Sequence, residues 1–258
     1  MSMSIGCVGC GNMGGAILAG LAASSLDCTL YGHTRTAARM APLEAAGVTR
    51  LDSARELARK ARYVVMAVKP YQIEALLAEM APEFGPDTVV ISVAAGISIA
   101  RLQAAVAGRC PVVRCMPNTP ALVGKGVFAL CFDDKVPAES KEDILRFFSQ
   151  LGVCLELPES RFTAFSALIG AGPAYVFGMM QGLVQAGVTL GLGRKDCRDM
   201  VAALFEGSAV MAARSDTPLM ELRDQVCSPG GLTIAGVNVL DRAGLSGLLV
   251  DAVLAADE

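Results

Sequence analysis

Along the first half of the chain, short and largely apolar runs alternate with stretches that place apolar residues three and four apart. Residues 4–8 form one such run and end in a glycine turn, and residues 13–23 then carry Ile17, Leu18 and Leu21 at helical spacing. The same alternation predicts strands at 29–31, 63–68, 88–92 and 111–115, with helices at 36–46, 71–80 and 99–106. Continuous apolar strands separated by helices imply a mainly parallel sheet covered on both faces by right-handed crossovers. Strands at 127–132 and 153–157, around a helix at 138–151, extend the pattern with their directions left open. Beyond Pro158-Glu159-Ser160, which reads as a hinge, the strand pattern stops. Residues 174–190, 196–214, 218–226, 233–243 and 245–255 all carry helical periodicity. The expectation is an α/β protein with a doubly wound sheet domain over residues 1–157 and an all-helical domain over 158–258.

At 258 residues the chain can bury one large core or two modest ones. Its net charge of -3 and pI near 5.3, with no Lys/Arg block, offer no general attraction to nucleic acid. The nine cysteines mostly sit inside apolar runs, where a thiol acts as a small hydrophobe in a reducing compartment. Cys7-Val8-Gly9-Cys10 has the spacing of a redox or metal pair, but no second pair completes a zinc set, and no metal site is expected. The start of the chain has no basic region, apolar signal core or small-residue cleavage site, which points to the cytoplasm. Residues 162–193 contain no charge and are long enough to cross a bilayer. Gly172-Pro173, together with Gln181 and Gln185 one turn apart, favours a helix buried by a partner subunit instead.

Three motifs carry chemistry. Gly9-Cys10-Gly11-Asn12-Met13-Gly14 follows a predicted strand and opens a helix, the context in which Gly-x-Gly-x-x-Gly binds a dinucleotide. Gly9 makes the turn, Gly11 lets a pyrophosphate approach, and Gly14 allows close packing. The sheet domain is thus expected to be Rossmann-like. The second strand ends in Tyr31-Gly32-His33-Thr34-Arg35 without the acid that an NAD site uses on the ribose. Thr34 and Arg35 then favour NADPH, with NADH possible; the alternative for Arg35 is a solvated residue entering the next helix. His33 is the only histidine, so a His-cluster metal site or a Ser-His-Asp triad would have to use this one ring. Reducing a carbonyl calls for a positioned proton donor, whereas a protonated imine needs only a hydride, so a site poor in titrating groups suits an imine. Arg114-Cys115-Met116-Pro117-Asn118-Thr119-Pro120 holds a polar pair at a strand end, and Ser228-Pro229-Gly230-Gly231-Leu232-Thr233 precedes a helix.

These segments, with Ala67-Val68-Lys69-Pro70, Ser92-Val93-Ala94-Ala95-Gly96, Gly172-Pro173-Ala174-Tyr175 and residues 222–233, resemble the pyrroline-5-carboxylate reductases over nearly the whole chain and in the family's order. The resemblance implies reduction of 1-pyrroline-5-carboxylate to L-proline, the last step of proline biosynthesis, with NADPH. It also implies a homodimer interleaved through the C-terminal helices, often assembled further.

By position, the resemblance sets Val68, Lys69 and Pro70 beside the cofactor's ribose and phosphates. Ala94, Ala95, Pro117 and Asn118 would border the nicotinamide half, and Asn12 and Met13 would lie in the glycine turn. Ser228, Gly230, Gly231, Leu232 and Thr233 become the substrate loop, where backbone N–H groups hold a carboxylate and Thr233, the catalytic residue, meets the ring nitrogen. A plain proline-glycine turn is the alternative for that loop, and a solvated strand end the alternative for Lys69. Because the loop and the nicotinamide belong to different domains, the site is expected between them or between subunits. The chain departs from the family's pattern at Ile169 and Ala171, where serines are usual, and in a longer segment at 216–221. Two other readings compete: a non-catalytic nucleotide-binding paralogue, and a hydroxyacid or F420-type dehydrogenase. The absence of lysine from 162–193 argues against a β-hydroxyacid dehydrogenase.

Overall fold

The computed structural model describes residues 3–257; residues 1, 2 and 258, which belong to the terminal expectations above, lie outside the described part. The chain divides after Gly170 into two compact units.

The first unit contains β1 (Met3–Val8), α1 (Asn12–Ala22), β2 (Cys28–His33), α2 (Ala41–Ala45), β3 (Thr49–Arg50), α3 (Ala54–Lys60), β4 (Tyr63–Met66) and α4 (Ile73–Met80). It continues through β5 (Val89–Ser92), α5 (Ile99–Ala105), β6 (Val112–Met116), β7 (Gly126–Phe132), α6 (Ala138–Ser149), β8 (Gly152–Glu156) and the single turn α7 (Phe162–Phe165). The eight strands lie in the order β3-β2-β1-β4-β5-β6-β7-β8, and all neighbouring pairs are parallel except β6 with β7. This is the expected doubly wound, mainly parallel sheet, and the antiparallel pair settles a direction that hydrophobic periodicity cannot read.

Every residue of β4 and β5 is buried, because helices cover both faces. Alternate residues serve opposite cores. Tyr63 and Val65 pack with Ile17, Leu18 and Phe147, while Val64 and Met66 pack with Leu57, Ile73 and Leu77. At about 1.5–3 kcal/mol for each fully buried Val, Leu or Ile, these two layers hold the unit together.

Three elements were absent from the sequence expectation, the single turn α7 among them. β3 is a two-residue edge strand, too short to leave a periodic signal. α3 is announced by Ser53 and Glu56: the Ser53 hydroxyl accepts from the Glu56 N–H at 3.1 Å, and the Glu56 carboxylate accepts from the Asp52 N–H at 3.3 Å. The helix expected at 36–46 is broken instead into a 3-10 turn at Ala37–Arg39 and the short α2, with Pro42 in the first turn of α2.

The second unit is helical: α8 (Gly172–Thr189), α9 (Arg194–Ala213), α10 (Leu219–Gln225), α11 (Leu232–Arg242) and α12 (Leu245–Ala255). Val184, Cys197 and Val201 form its small core between α8 and α9. Gly187 allows that approach, since a Cβ there would lie 2.6 Å from the Cys197 sulfur. No residue of α10, α11 or α12 is buried, and Phe177, Leu204, Val239, Leu248 and Leu254 stand exposed. The helical stretch Glu159–Thr189 is apolar and long enough to cross a membrane by length and composition, but only 11% of its most apolar window is buried within the chain.

Candidate functional site

The carboxyl ends of β2, β1, β4, β5 and β6 fall on one line. Val8 is in register with His33 on one side and Met66 on the other, Met66 with Ser92, and Ser92 with Arg114. The segments that follow these strands therefore emerge along one edge of the sheet. They are Gly9–Gly14, Thr34–Arg35, Val68–Pro70, Ala94–Ala95 and, after β6, Pro117–Asn118. The order reverses at β1, which lies between β2 and β4, and this switch point is where doubly wound sheets bind ligands.

At that point the glycine turn has the form a dinucleotide requires. Gly9 adopts φ +98°, and a Cβ on it would lie 2.7 Å from Val68 Cγ1 and 2.8 Å from the Ala67 backbone, so only glycine fits. Its N–H donates to the His33 carbonyl at 2.8 Å, tying the turn to the end of β2. A Cβ on Gly14 would run into the Gly9 carbonyl and the Cys7 sulfur, so its absence lets α1 pack directly on β1. Gly11, by contrast, faces open space apart from one guanidinium nitrogen, Arg39 Nη1. No side chain caps the first turn of α1, leaving its backbone N–H groups for an anion. The residues present thus fit a dinucleotide phosphate.

The neighbouring side chains divide into engaged and available groups. His33 Nδ1 lies 3.0 Å from the Leu51 carbonyl and is held by the backbone of the strand-end loop. Ser92, fully buried, accepts from the Ala94 N–H at 3.3 Å and shapes the turn carrying Ala94 and exposed Ala95. Asn118 is buried, with its Oδ1 accepting from Val127 N–H at 2.9 Å and its Nδ2 donating to the Ile169 carbonyl at 3.3 Å. Much of that carboxamide's work is therefore to brace the end of β6 against β7 and the chain leading to Gly170. Pro117 is buried beside it. Thr34, Met13 and Val68 are half-buried, whereas Asn12, Arg35, Lys69 and Pro70 are exposed.

Cys7 and Cys10 lie beneath the turn. The Cys10 hydrogen bond raises the Cys7 thiol well above the usual range, with burial adding to it, while the hydrogen bond from Cys7 lowers Cys10. Burial pushes Cys110 up to about 12 and Cys154 up to about 11. All nine cysteines are free thiols, and among the described residues no three His, Cys, Asp or Glu side chains gather as a metal site.

In the helical unit, Ser228–Thr233 forms a tight turn closed by a Gly231 N–H to Ser228 carbonyl bond of 3.0 Å, with Gly230 at φ +67°. Gly231 precedes α11, whose first turn has no side-chain cap, so the N–H groups at Leu232 and Thr233 point into the open. Ser228, Leu232 and Thr233 are exposed, Leu232 by 94%. The loop is thus a helix start with unpaired donors and a threonine hydroxyl, a combination that can receive a carboxylate.

Comparison with known proteins gives this geometry its family. Residues 159–258 match the family model described as pyrroline-5-carboxylate reductase dimerisation, and residues 4–96 match the one described as NADP oxidoreductase, coenzyme F420-dependent. Pyrroline-5-carboxylate reductase of Escherichia coli K12 is 34% identical over 98% of this chain and 95% of its own length. The chain belongs to the pyrroline-5-carboxylate reductase family. A structure of a pyrroline-5-carboxylate reductase from Coxiella burnetii superposes with a TM-score of 0.92 at 30% identity, covering 100% of this chain and 97% of that one. The Plasmodium falciparum pyrroline carboxylate reductase, solved with NADP bound, gives 0.85 at 31% identity over 99% of this chain and 95% of its own. Like those relatives, this family member joins a Rossmann-like sheet to a helical C-terminal part. Arg39 was not singled out from the sequence, because its approach to Gly11 is a long-range contact with no local signature.

Proposed function

We propose that the protein reduces 1-pyrroline-5-carboxylate to L-proline with NADPH, NADH being a weaker alternative. The observation that carries this reading is the pairing, within one member of the family, of a dinucleotide turn at Gly9–Gly14 with an anion-receiving helix start at Gly231–Thr233. When bound, the cofactor supplies a hydride, and the rest of the chemistry rests on the chain's own residues. Gly11, Asn12, Met13 and the first N–H groups of α1 hold the diphosphate, with Val68, Lys69 and Pro70 along the ribose side and Thr34 and Arg35 at the adenosine end. Ala94, Ala95, Pro117 and Asn118 border the nicotinamide, Asn118 mainly by keeping that strand end rigid. Ser228, Gly230, Gly231 and Leu232 cradle the substrate carboxylate, and the Thr233 hydroxyl orients the ring nitrogen.

The substrate arrives as an iminium ion, so hydride addition at the imine carbon leaves a neutral amine and needs no proton donor in that step. Aligning two bound molecules is worth more here than moving a proton. This suits a site whose single histidine is occupied by a backbone carbonyl.

The exposed apolar faces of α8–α12 support a homodimer, or an assembly of dimers, built through these helices. We divide the chain into a dinucleotide domain at residues 1–157 and a substrate and dimerisation domain at 158–258. Free thiols throughout suit the cytoplasm. The reading is tested by following NADPH absorbance with the purified protein: oxidation that requires 1-pyrroline-5-carboxylate and yields proline supports it. Cofactor binding without turnover would point to the non-catalytic alternative.

A further inference from the structure

We propose that Arg39 is the residue through which this chain selects a 2′-phosphorylated dinucleotide. The inference deepens the cofactor reading above and rests on it. Arg39 ends the 3-10 turn Ala37–Arg39 that follows β2, with its N–H bonded to the Thr36 carbonyl at 3.0 Å. The turn is pinned from below. Met40 is fully buried, its N–H bonds the Ala37 carbonyl at 2.9 Å, and its Cε sits 2.7 Å from where a Cβ would lie on Gly32 in β2. From this anchored base the guanidinium reaches back over the glycine turn, Nη1 lying 3.1 Å from the Cβ position on Gly11, with no other neighbour within 4 Å there. Side-chain contacts of Arg39 with the rest of the protein include no ion pair or hydrogen bond among the described residues.

A partnerless guanidinium thus faces the same opening as the glycine turn, on the side of the β2 end. In sheets of this kind the adenosine ribose lies at that strand end, where an acid reads its hydroxyls or an arginine meets a 2′-phosphate. This chain has no acid there, and His33 is engaged by Leu51. The diphosphate is already served by the uncapped α1 N-terminus, which leaves the additional ribose phosphate, at the end of β2 beside Thr34 and Arg35, as the anion for a further cation at this turn. A planar fork of donors at the end of a pinned turn matches that group. Arg35 is exposed as well, but Arg39 is the cation the structure brings to the turn.

The test is equilibrium binding to the cofactor-free, full-length protein, by calorimetry or by NADPH fluorescence, using NADPH, NADH, adenosine 2′,5′-bisphosphate and ADP as probes. Arg39→Ala should weaken NADPH and the 2′,5′-bisphosphate by roughly tenfold or more, leave NADH and ADP within about twofold, and keep the unfolding temperature of the ligand-free protein. Arg35→Ala should have the smaller effect on NADPH. Equal losses for NADPH and NADH would assign Arg39 to the diphosphate and overturn the proposal. Unchanged NADPH affinity would overturn it as well, making Arg39 a solvated residue. A wild-type protein that binds neither dinucleotide would remove the cofactor reading itself, an outcome distinct from either of those.

Discussion

The two units handle their apolar residues in opposite ways. In the sheet unit, β4 and β5 are buried at every position and Phe128, Phe147 and Phe148 are fully enclosed. In the helical unit, three buried residues between α8 and α9 make up the whole core cluster, while Phe177 is 64%, Leu248 61% and Leu254 60% exposed. The first closes its core within one chain. The second leaves large apolar side chains exposed along α8–α12, and its family model is one of dimerisation. On the function proposed above, dinucleotide binding belongs to one chain's sheet and assembly to the helical unit.

The sharpest way to break this contrast is at Gly9. Gly9→Val would place a branched side chain at φ +98° against Val68 and the Ala67 backbone, strain that costs several kcal/mol. NADPH binding should fall by at least about a hundredfold in titration, while the assembly state holds. Loss of assembly with retained NADPH binding would invert the assignment of the two units.

A comparable but separate effect is expected from charging the helical surface. The pair Phe177→Glu and Leu204→Glu replaces exposed apolar positions on α8 and α9 with acids. Light scattering at micromolar concentration should find the wild type as a dimer or a multiple of dimers and the double variant as smaller or aggregated species. A monodisperse wild-type monomer would sink the interface reading.

The smallest of the three effects separates the ligands. Thr233→Ala removes one oriented hydroxyl from the start of α11 and should cost about 1–3 kcal/mol, lowering kcat/KM roughly tenfold to a hundredfold. NADPH affinity should stay within about twofold. A variant that mainly loses NADPH would mean that the Ser228–Thr233 loop serves the cofactor instead.

The sheet unit was the more legible of the two because its signals are local. A run such as Tyr63–Met66 has to be buried on both faces, and the spacing of Gly9, Gly11 and Gly14 states the turn directly. Ser53 and Glu56 carried the cap of α3 in plain view, yet the helix is a short one whose buried side rests on Ala54, Leu57 and Ala58, a weak periodic signal. The direction of β7 depends on pairing with β6 and cannot be read from its own residues. Asn118 was legible as a polar group held at a strand end, but not the fact that Val127 and Ile169 occupy its carboxamide, because both partners are distant in sequence. In the helical unit the uncharged stretch was readable as needing cover, while the loop at 228–233 drew its chemical meaning from the family resemblance more than from its own glycines.

Hydride transfer to an imine carbon is tested most directly by isotope. NADPH dideuterated at the nicotinamide C4, incubated with the wild-type protein and 1-pyrroline-5-carboxylate, should yield proline carrying one deuterium at the ring carbon bonded to nitrogen on the side away from the carboxylate, one proline formed for each NADPH oxidised. Unlabelled proline, label at another carbon, or NADPH oxidation without proline would contradict the assignment.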